Sequence, residues 1–148
     1  MTYTITFHTK WADFDANKHM RHTAYNDYAA ECRVRFLTEN NFGLKEFEQL
    51  NIGPVLFSEN TNFKKEIKLG EDISVTLFLQ AVSKNGERFK MFHKVYNKNG
   101  DLAAEITIYA AWFNLSSRKL CIPPKQIITT FNNLEKTDDF EEIIINKK

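Results

Sequence analysis

The spacing of apolar positions changes period twice along the chain. Residues 2–10 alternate, with Tyr3, Ile5 and Phe7 set against Thr2, Thr4, Thr6 and His8, which predicts a half-buried strand. From about Thr23 the apolar residues Tyr25, Tyr28, Ala29, Cys32, Phe36 and Leu37 recur at steps of three and four, the signature of an amphipathic helix. His22 and Thr23 stand where that helix starts, and Asn40, Asn41 and Gly43 supply its stop. Leu44, Phe47 and Leu50 predict a second, short helical segment ended by Gly53 and Pro54. Beyond it the period returns to two. Residues 55–69 alternate with a break in the middle, Gly70-Glu71-Asp72 turns the chain, and Ile73, Val75, Leu77, Leu79 and Ala81 alternate cleanly. Asn85-Gly86 and Asn99-Gly100 predict hairpins joining that strand to one through Phe89, Met91 and Val95 and then to one running from Leu102 to Trp112.

These lengths constrain the architecture. Strands of ten residues reach about 33 Å, and a helix of about 18 residues about 27 Å. One helix about 10 Å across covers five strands spaced at about 4.8 Å only if the sheet curls around it. The expected class is therefore α+β, a long antiparallel sheet of about five strands wrapped around one central helix. That domain is expected over residues 1–125. Pro123-Pro124 breaks the last strand, Ile127, Ile128, Phe131 and Leu134 suggest a short amphipathic helix, and residues 126–148 read as a C-terminal extension, partly helical or disordered. On the opposite face of the meander Phe78, Phe92, Tyr96, Tyr109 and Phe113 stand among Thr, Lys and Glu, an aromatic set that hints at a subunit interface.

Composition narrows the function class. Twenty basic against nineteen acidic residues leave +1, so no global field points to nucleic acid or an anionic membrane. No run approaches the 18 or more apolar residues of a membrane span, and the first residues lack the pattern of a secretory signal, so a cytoplasmic setting is expected. Cys32 and Cys121 lack metal-site spacing and read as reduced thiols. Thirteen Phe, five Tyr and two Trp are many for 148 residues and imply large buried surfaces or an apolar ligand site.

Reactive side chains concentrate in residues 11–37, where two carboxylates, two histidines and an arginine run directly into the helix. A strand, then Asp13-x-Asp15-x-x-Lys18-His19, then Tyr25, Tyr28, Glu31 and Arg33 along a long helix, followed by the later FKKEIKLGEDISV, resembles the hotdog-fold acyl-CoA thioesterases of the 4-hydroxybenzoyl-CoA thioesterase type. The likeness spans residue 4 to about residue 125. It implies a hotdog fold, hydrolysis of an acyl-CoA to free acid and CoA without metal or cofactor, and a homodimer or homotetramer whose sites are built across two subunits. It matches the family's catalytic carboxylate to Asp15 and its oxyanion donor to the backbone N–H of His22.

The chemistry needs what this stretch offers. Thioester hydrolysis requires a nucleophile or a general base, and an electropositive place for the developing oxyanion. A carboxylate just before a helix start supplies the first, and the free N–H groups and dipole of the first turn supply the second. On residue type alone a loop Asp before a helix is a turn or cap residue; the family pattern raises Asp15 to catalyst. Asp13, two positions earlier, points to the opposite side and takes a structural role. His19 holds the loop or touches substrate, and the His22 side chain is a solvated cap or a base. Tyr25 is core or pocket wall, and Glu59 is a second carboxylate for the site. Lys18 replaces the family's usual Gly, which adds a cation beside Asp15 that can also meet an anionic substrate. Arg21-His22 stands where the family has Asn-Asn. The phosphates of CoA need local cations, for which Lys64, Lys65, Lys84, Arg88 and Arg118 are the candidates. The same residues would serve an acyl-carrier-protein thioesterase, and a non-catalytic acyl-CoA-binding protein of the same fold is the reading from another class.

Overall fold

The computed structural model describes residues 2–145. Its elements are β1 (Tyr3–Phe7), α1 (His22–Glu39), α2 (Leu44–Leu50), β2 (Ile52–Phe63), β3 (Ile73–Ser83), β4 (Arg88–Tyr96), β5 (Leu102–Asn114), α3 (Lys125–Asn132) and β6 (Lys136–Ile143). Both Asn-Gly pairs reverse the chain. Gly86 (φ 79°) and Gly100 (φ 80°) take the left-handed conformation that lacks a Cβ penalty in glycine, and they join β3 to β4 and β4 to β5. Gly86 is needed for a second reason, since a Cβ there would stand 2.6 Å from Cγ1 of Ile128 in α3.

Period-two alternation puts one face of this meander inside. Val75, Leu77 and Leu79 of β3, Met91 and Val95 of β4, and Ile106, Ile108 and Trp112 of β5 are all buried. Against them α1 lays Ala24, Tyr25, Tyr28, Ala29, Cys32 and Phe36. The Cys32 Sγ donates to the Val75 carbonyl at 3.7 Å, and burial pushes its thiol up to about 12, which makes it inert. The strand order is β1-β3-β4-β5-β2, a sheet wrapped on α1 as the hotdog fold requires.

Three expectations change. The sheet has six strands rather than about five, because residues 136–143 of the expected extension form β6, which runs parallel to β3. β1 covers only residues 73–77 of β3, so the rest of that edge is open and β6 pairs with residues 79–83. Preceding it, α3 docks Ile127 and Phe131 into the core, with the Phe131 ring 4.9 Å from Phe89 and 6.2 Å from Trp112. Residues 146–148 of the extension lie outside the described residues. The first long strand spans 52–63, not 55–69, since Asn51 (φ 58°) ends α2 and Pro54 is tolerated on an outer edge. The outer-face aromatics are all half-buried rather than bare, and three of the five lie under cationic side chains, Lys94 over Phe78, Lys90 over Tyr109 and Arg118 over Phe113.

One polar side chain sits wholly inside. His93 of β4 is fully buried, with Nδ1 2.9 Å from the Thr76 carbonyl and Nε2 2.9 Å from a guanidinium nitrogen of Arg33. A carbonyl takes the Nδ1–H and a permanent cation donates to Nε2, so the ring is the neutral Nδ1–H tautomer. Burial, then Arg33, lowers its pKa to about 3.

The loop before α1 contains a strained residue. The Lys18 N–H donates to the Asp15 carbonyl at 3.0 Å, closing a tight turn in which Lys18 holds φ 63°. A non-glycine residue there carries about 1–2 kcal/mol of steric penalty.

Lys18→Gly removes that penalty but loosens the unfolded chain. It is therefore expected to raise the unfolding free energy by up to about 1 kcal/mol, whereas Lys18→Val lowers it; denaturant titration of the three proteins checks the order. His93 gives a pH test. As pH falls below 6.5 the unfolded chain takes up the imidazole proton first, while native His93 stays neutral to about 3, so native stability drains through that window. His93→Gln keeps both hydrogen bonds without a titrating group. The stability gap between wild type and variant is expected to move by roughly 2 kcal/mol in the variant's favour from pH 6.5 to 5, and a gap independent of pH contradicts the buried neutral ring.

Candidate functional site

Asp13 and Asp15 are separated by the pleat. After a single 3₁₀ turn at Trp11–Asp13, Asp13 points inward and is 2% exposed. Its Oδ2 accepts the Tyr28 hydroxyl proton and the Lys10 N–H at 2.9 Å, and its carbonyl accepts the Arg21 N–H at 2.8 Å. Burial, then Asp13, drives the Tyr28 phenol well above its ordinary range, so Tyr28 stays protonated and donates. Asp13 thus ties the loop to the first turns of α1, the structural role expected of it.

Asp15 points the other way and is exposed. Its Oδ1 accepts the N–H of Asn17 at 2.8 Å and of His19 at 3.2 Å. Among the described residues its Oδ2 has no partner. A β-bridge between Phe14 and Met20 closes the loop, and Met20 N–H to Ile67 O at 2.8 Å and Leu69 N–H to Lys18 O at 2.9 Å stitch it to the segment after β2. His19 adds to the stitching, with Nε2 3.0 Å from a Glu66 carboxylate oxygen. Sequence reasoning missed Glu66, whose signal is only visible once residues 64–69 leave the sheet and pass beside the loop.

α1 then begins directly at the loop. Arg21, extended at φ −65° and ψ 145°, is its N-cap and provides no side-chain cap; its Nε instead donates to the Ala12 carbonyl at 2.8 Å. Among the described residues the N–H groups of His22 and Thr23 find no acceptor, so the positive end of an 18-residue helix faces outward uncapped. Beside it lies an open cavity of about 300 Å³ with His19, Met20, His22 and Tyr25 on one side and Phe63, Lys64, Lys65 and Glu66 on the other. Tyr25 meets Phe63 edge-on at 5.1 Å, and burial, then Glu66, raises its phenol pKa, so it too stays protonated.

Of the residues read from the sequence, His19, His22, Tyr25, Lys64 and Lys65 therefore line one cavity, and Asp15 is joined to it through the His19 backbone. Lys18 sits on the loop's outer side. Glu59, exposed on β2, does not line this cavity. Lys84, Arg88 and Arg118 do not reach it either. Arg88 pairs with Ala111 of β5, whereas the cavity residue Phe63 pairs with Ala104, and seven residues of strand separate those points by about 23 Å. Arg88 is occupied with the Tyr109 hydroxyl at 2.8 Å, and Lys84 borders a different cavity beside Glu142. Within one chain the expected phosphate-binding set is split between the two ends of the sheet.

Comparison with known proteins bears on the fold and the family. No curated protein matches the chain. Among solved structures, the fold is similar to that of a hypothetical protein of Staphylococcus aureus determined in complex with CoA, at 23% identity over 99% of this chain and 96% of that one, with a TM-score of 0.83. A 1,4-dihydroxy-2-naphthoyl-CoA thioesterase of Synechocystis is similar at 17% identity over 90% and 98% of the two chains, with a TM-score of 0.80. A gentisyl-coenzyme A thioesterase is similar at 20% identity over 86% and 98%, with a TM-score of 0.76. The sequence model of the Thioesterase-like superfamily matches residues 9–131, from the turn before Asp13 to the last core residue of α3. The chain belongs to the Thioesterase-like superfamily.

Proposed function

We propose that this protein hydrolyses an acyl-CoA thioester to the free carboxylic acid and CoA, with Asp15 as the catalytic carboxylate. The observation that carries the reading is the pairing of a half-anchored carboxylate with an uncapped helix start. Two backbone donors hold Asp15 through Oδ1 alone, which fixes its direction and leaves Oδ2 for the reacting centre. The His22 N–H, with the α1 dipole behind it, receives the charge that develops on the thioester oxygen. His19 and Glu66 hold the loop in place. Lys64 and Lys65 provide cations for CoA phosphate at the cavity rim; their present pairings, with Glu105 at 3.8 Å and Asp101 at 3.6 Å, are long and reached by solvent, so they exchange easily. Structural relatives named as thioesterases of CoA esters support CoA as the carrier, and one named as an acyl-ACP thioesterase keeps the carrier protein as the second reading.

A homodimer completes the site. β2 is the outer strand of the sheet on its side, twelve residues long, and exposes Leu56, Phe57 and Phe63. An unpaired edge of this length and apolarity calls for a partner. Two-fold antiparallel pairing of β2 with its copy sets the Phe63 end of one subunit beside the Ile52 end of the other. That brings Arg88 and Arg118 of one chain toward Lys64 and Lys65 of the next, which reunites four of the five phosphate-binding candidates. The covering of the outer-face aromatics by lysine and arginine favours this dimer over a tetramer built on that face.

Thiol release from a panel of acyl-CoAs tests the reading. Wild type is expected to turn over at least one of them, and Asp15→Asn, which retains the Oδ1 acceptor, is expected to lose a hundredfold or more of kcat, roughly the range of a positioned acid–base group. Full activity in Asp15→Asn overturns the assignment. Inertness toward every acyl-CoA with turnover of acyl-carrier-protein esters moves the substrate to the protein-bound acyl class.

A further inference from the structure

A second cavity lies between α1 and the first residues of β2, on the far side of the hydrogen bond that Thr61 of β2 donates to Asn26 of α1 at 2.9 Å. It has about 170 Å³ and an apolar lining that includes Val34, Leu37, Leu56, Met91, Ile108 and Phe131. One lining side chain is charged. Arg33 enters this wall from α1, and its hydrogen bond goes to Nε2 of the neutral His93 at 2.9 Å. Among the described residues no carboxylate lies within 4.0 Å of the guanidinium, the usual partner of a buried arginine. Glu59 is the carboxylate that acts on it electrostatically, but no ion pair forms between them. The buried polar side-chain atoms left without partners are Gln80 Oε1, Trp112 Nε1 and Thr137 Oγ1. None belongs to Arg33, a half-buried residue of the cavity wall, so its remaining donors are accessible and not sealed in protein.

A half-buried cation with free donors on the wall of an apolar cavity is complementary to one kind of ligand end, an aliphatic chain that terminates in an anion. We infer that this cavity binds the distal end of the acyl group and that Arg33 selects a terminal carboxylate there, so that the protein takes ω-carboxyacyl chains in preference to methyl-ended ones. The inference rests on the thioesterase reading and adds its substrate class. The cost of burying the cation, which draws the Arg33 pKa below its ordinary value, is already met by folding. His93 contributes by accepting one N–H while remaining neutral, so it orients the guanidinium without competing for the anion. Distance fits the same class. Arg33 is eleven residues past His22 on α1, about 16 Å along the axis, and with C–C bonds of about 1.5 Å an extended chain of roughly a dozen carbons spans it. An aroyl group held at the helix start falls far short.

The test compares two acyl-CoAs of equal length, dodecanoyl-CoA and its ω-carboxy counterpart, on wild type, Arg33→Met and Arg33→Lys. Wild type is expected to favour the ω-carboxy ester in kcat/KM by about tenfold to a hundredfold, the range of a charge-assisted hydrogen bond out of bulk water. Arg33→Met is expected to abolish or invert that preference, and Arg33→Lys, which keeps the charge without the fork, to retain part of it. Ala110→Leu fills the cavity without altering Arg33 and is expected to weaken both long esters relative to a short one. A wild-type preference for the methyl-ended ester, or a preference that Arg33→Met leaves intact, overturns the inference. If no thioester is hydrolysed, calorimetric binding of the free dodecanedioate and dodecanoate decides the matter separately. Tighter binding of the dianion that Arg33→Met removes upholds the cavity's selectivity while the hydrolytic reading fails; equal binding overturns both. Should Arg33→Met fail to fold, the Arg33→Lys and Ala110→Leu measurements decide alone.

Discussion

The buried contact between Asp13 and Tyr28 fixes where α1 begins, and the proposed chemistry depends on that point. Asp13 receives a phenol proton from the second turn of the helix, an N–H from Lys10, and holds the N–H of the N-cap residue through its own carbonyl. A hydrogen bond to a charged group contributes about 1.5–3 kcal/mol, and leaving such a carboxylate unpaired inside costs more. Because the sheet wraps α1, the helix cannot slide or tilt to absorb an error in the loop. Its uncapped start is therefore a stationary electrostatic feature, which a transition state can use without reorganisation.

Asp15 gains its position from the same arrangement. A strand pleat turns it away from Asp13, and one oxygen is spent on backbone donors while the other remains free. The tight turn this requires is strained at Lys18, where glycine would sit without penalty. Retaining a lysine there leaves a cation on the loop's outer face. Farther along α1 a second cation faces β2: Arg33 is half-buried beside a neutral His93 rather than beside a carboxylate. The start of α1 and Arg33 eleven residues on thus both present positive charge on the side of β2, and a substrate with a negative character at each end would meet complementary partners.

Much of this was legible in the sequence for identifiable reasons. Clean alternation in β3 to β5 and the two Asn-Gly turns each constrain the backbone locally, so the meander followed from residue types. The geometric argument that one helix cannot cover five flat strands led to the curled sheet. Asp15, His19, His22 and Tyr25 lie within eleven positions of one another, where loop and helix periodicity largely determine who meets whom. What failed depended on distant contacts. β6 reads as polar tail, with Asp138, Asp139, Glu141 and Glu142, and becomes a strand only because β1 leaves half of β3 unpaired. The split of the cations at the two sheet ends follows from the β4–β5 register, which spacing along the chain does not reveal. Helix spacing leaves Arg33 without a partner on α1 and turns it toward the sheet, but which residue it meets there is not visible in the sequence, because His93 is sixty positions away on β4.

A crystal structure of the protein with a non-hydrolysable ketone analogue of an acyl-CoA, in which a methylene replaces the thioester sulfur, is the most direct measurement. The account predicts the carbonyl oxygen within about 3 Å of the His22 N–H and Asp15 Oδ2 facing the carbonyl carbon at about 3–3.5 Å or through one water. An analogue bound with its carbonyl away from the start of α1, and Asp15 still turned to solvent, would contradict it.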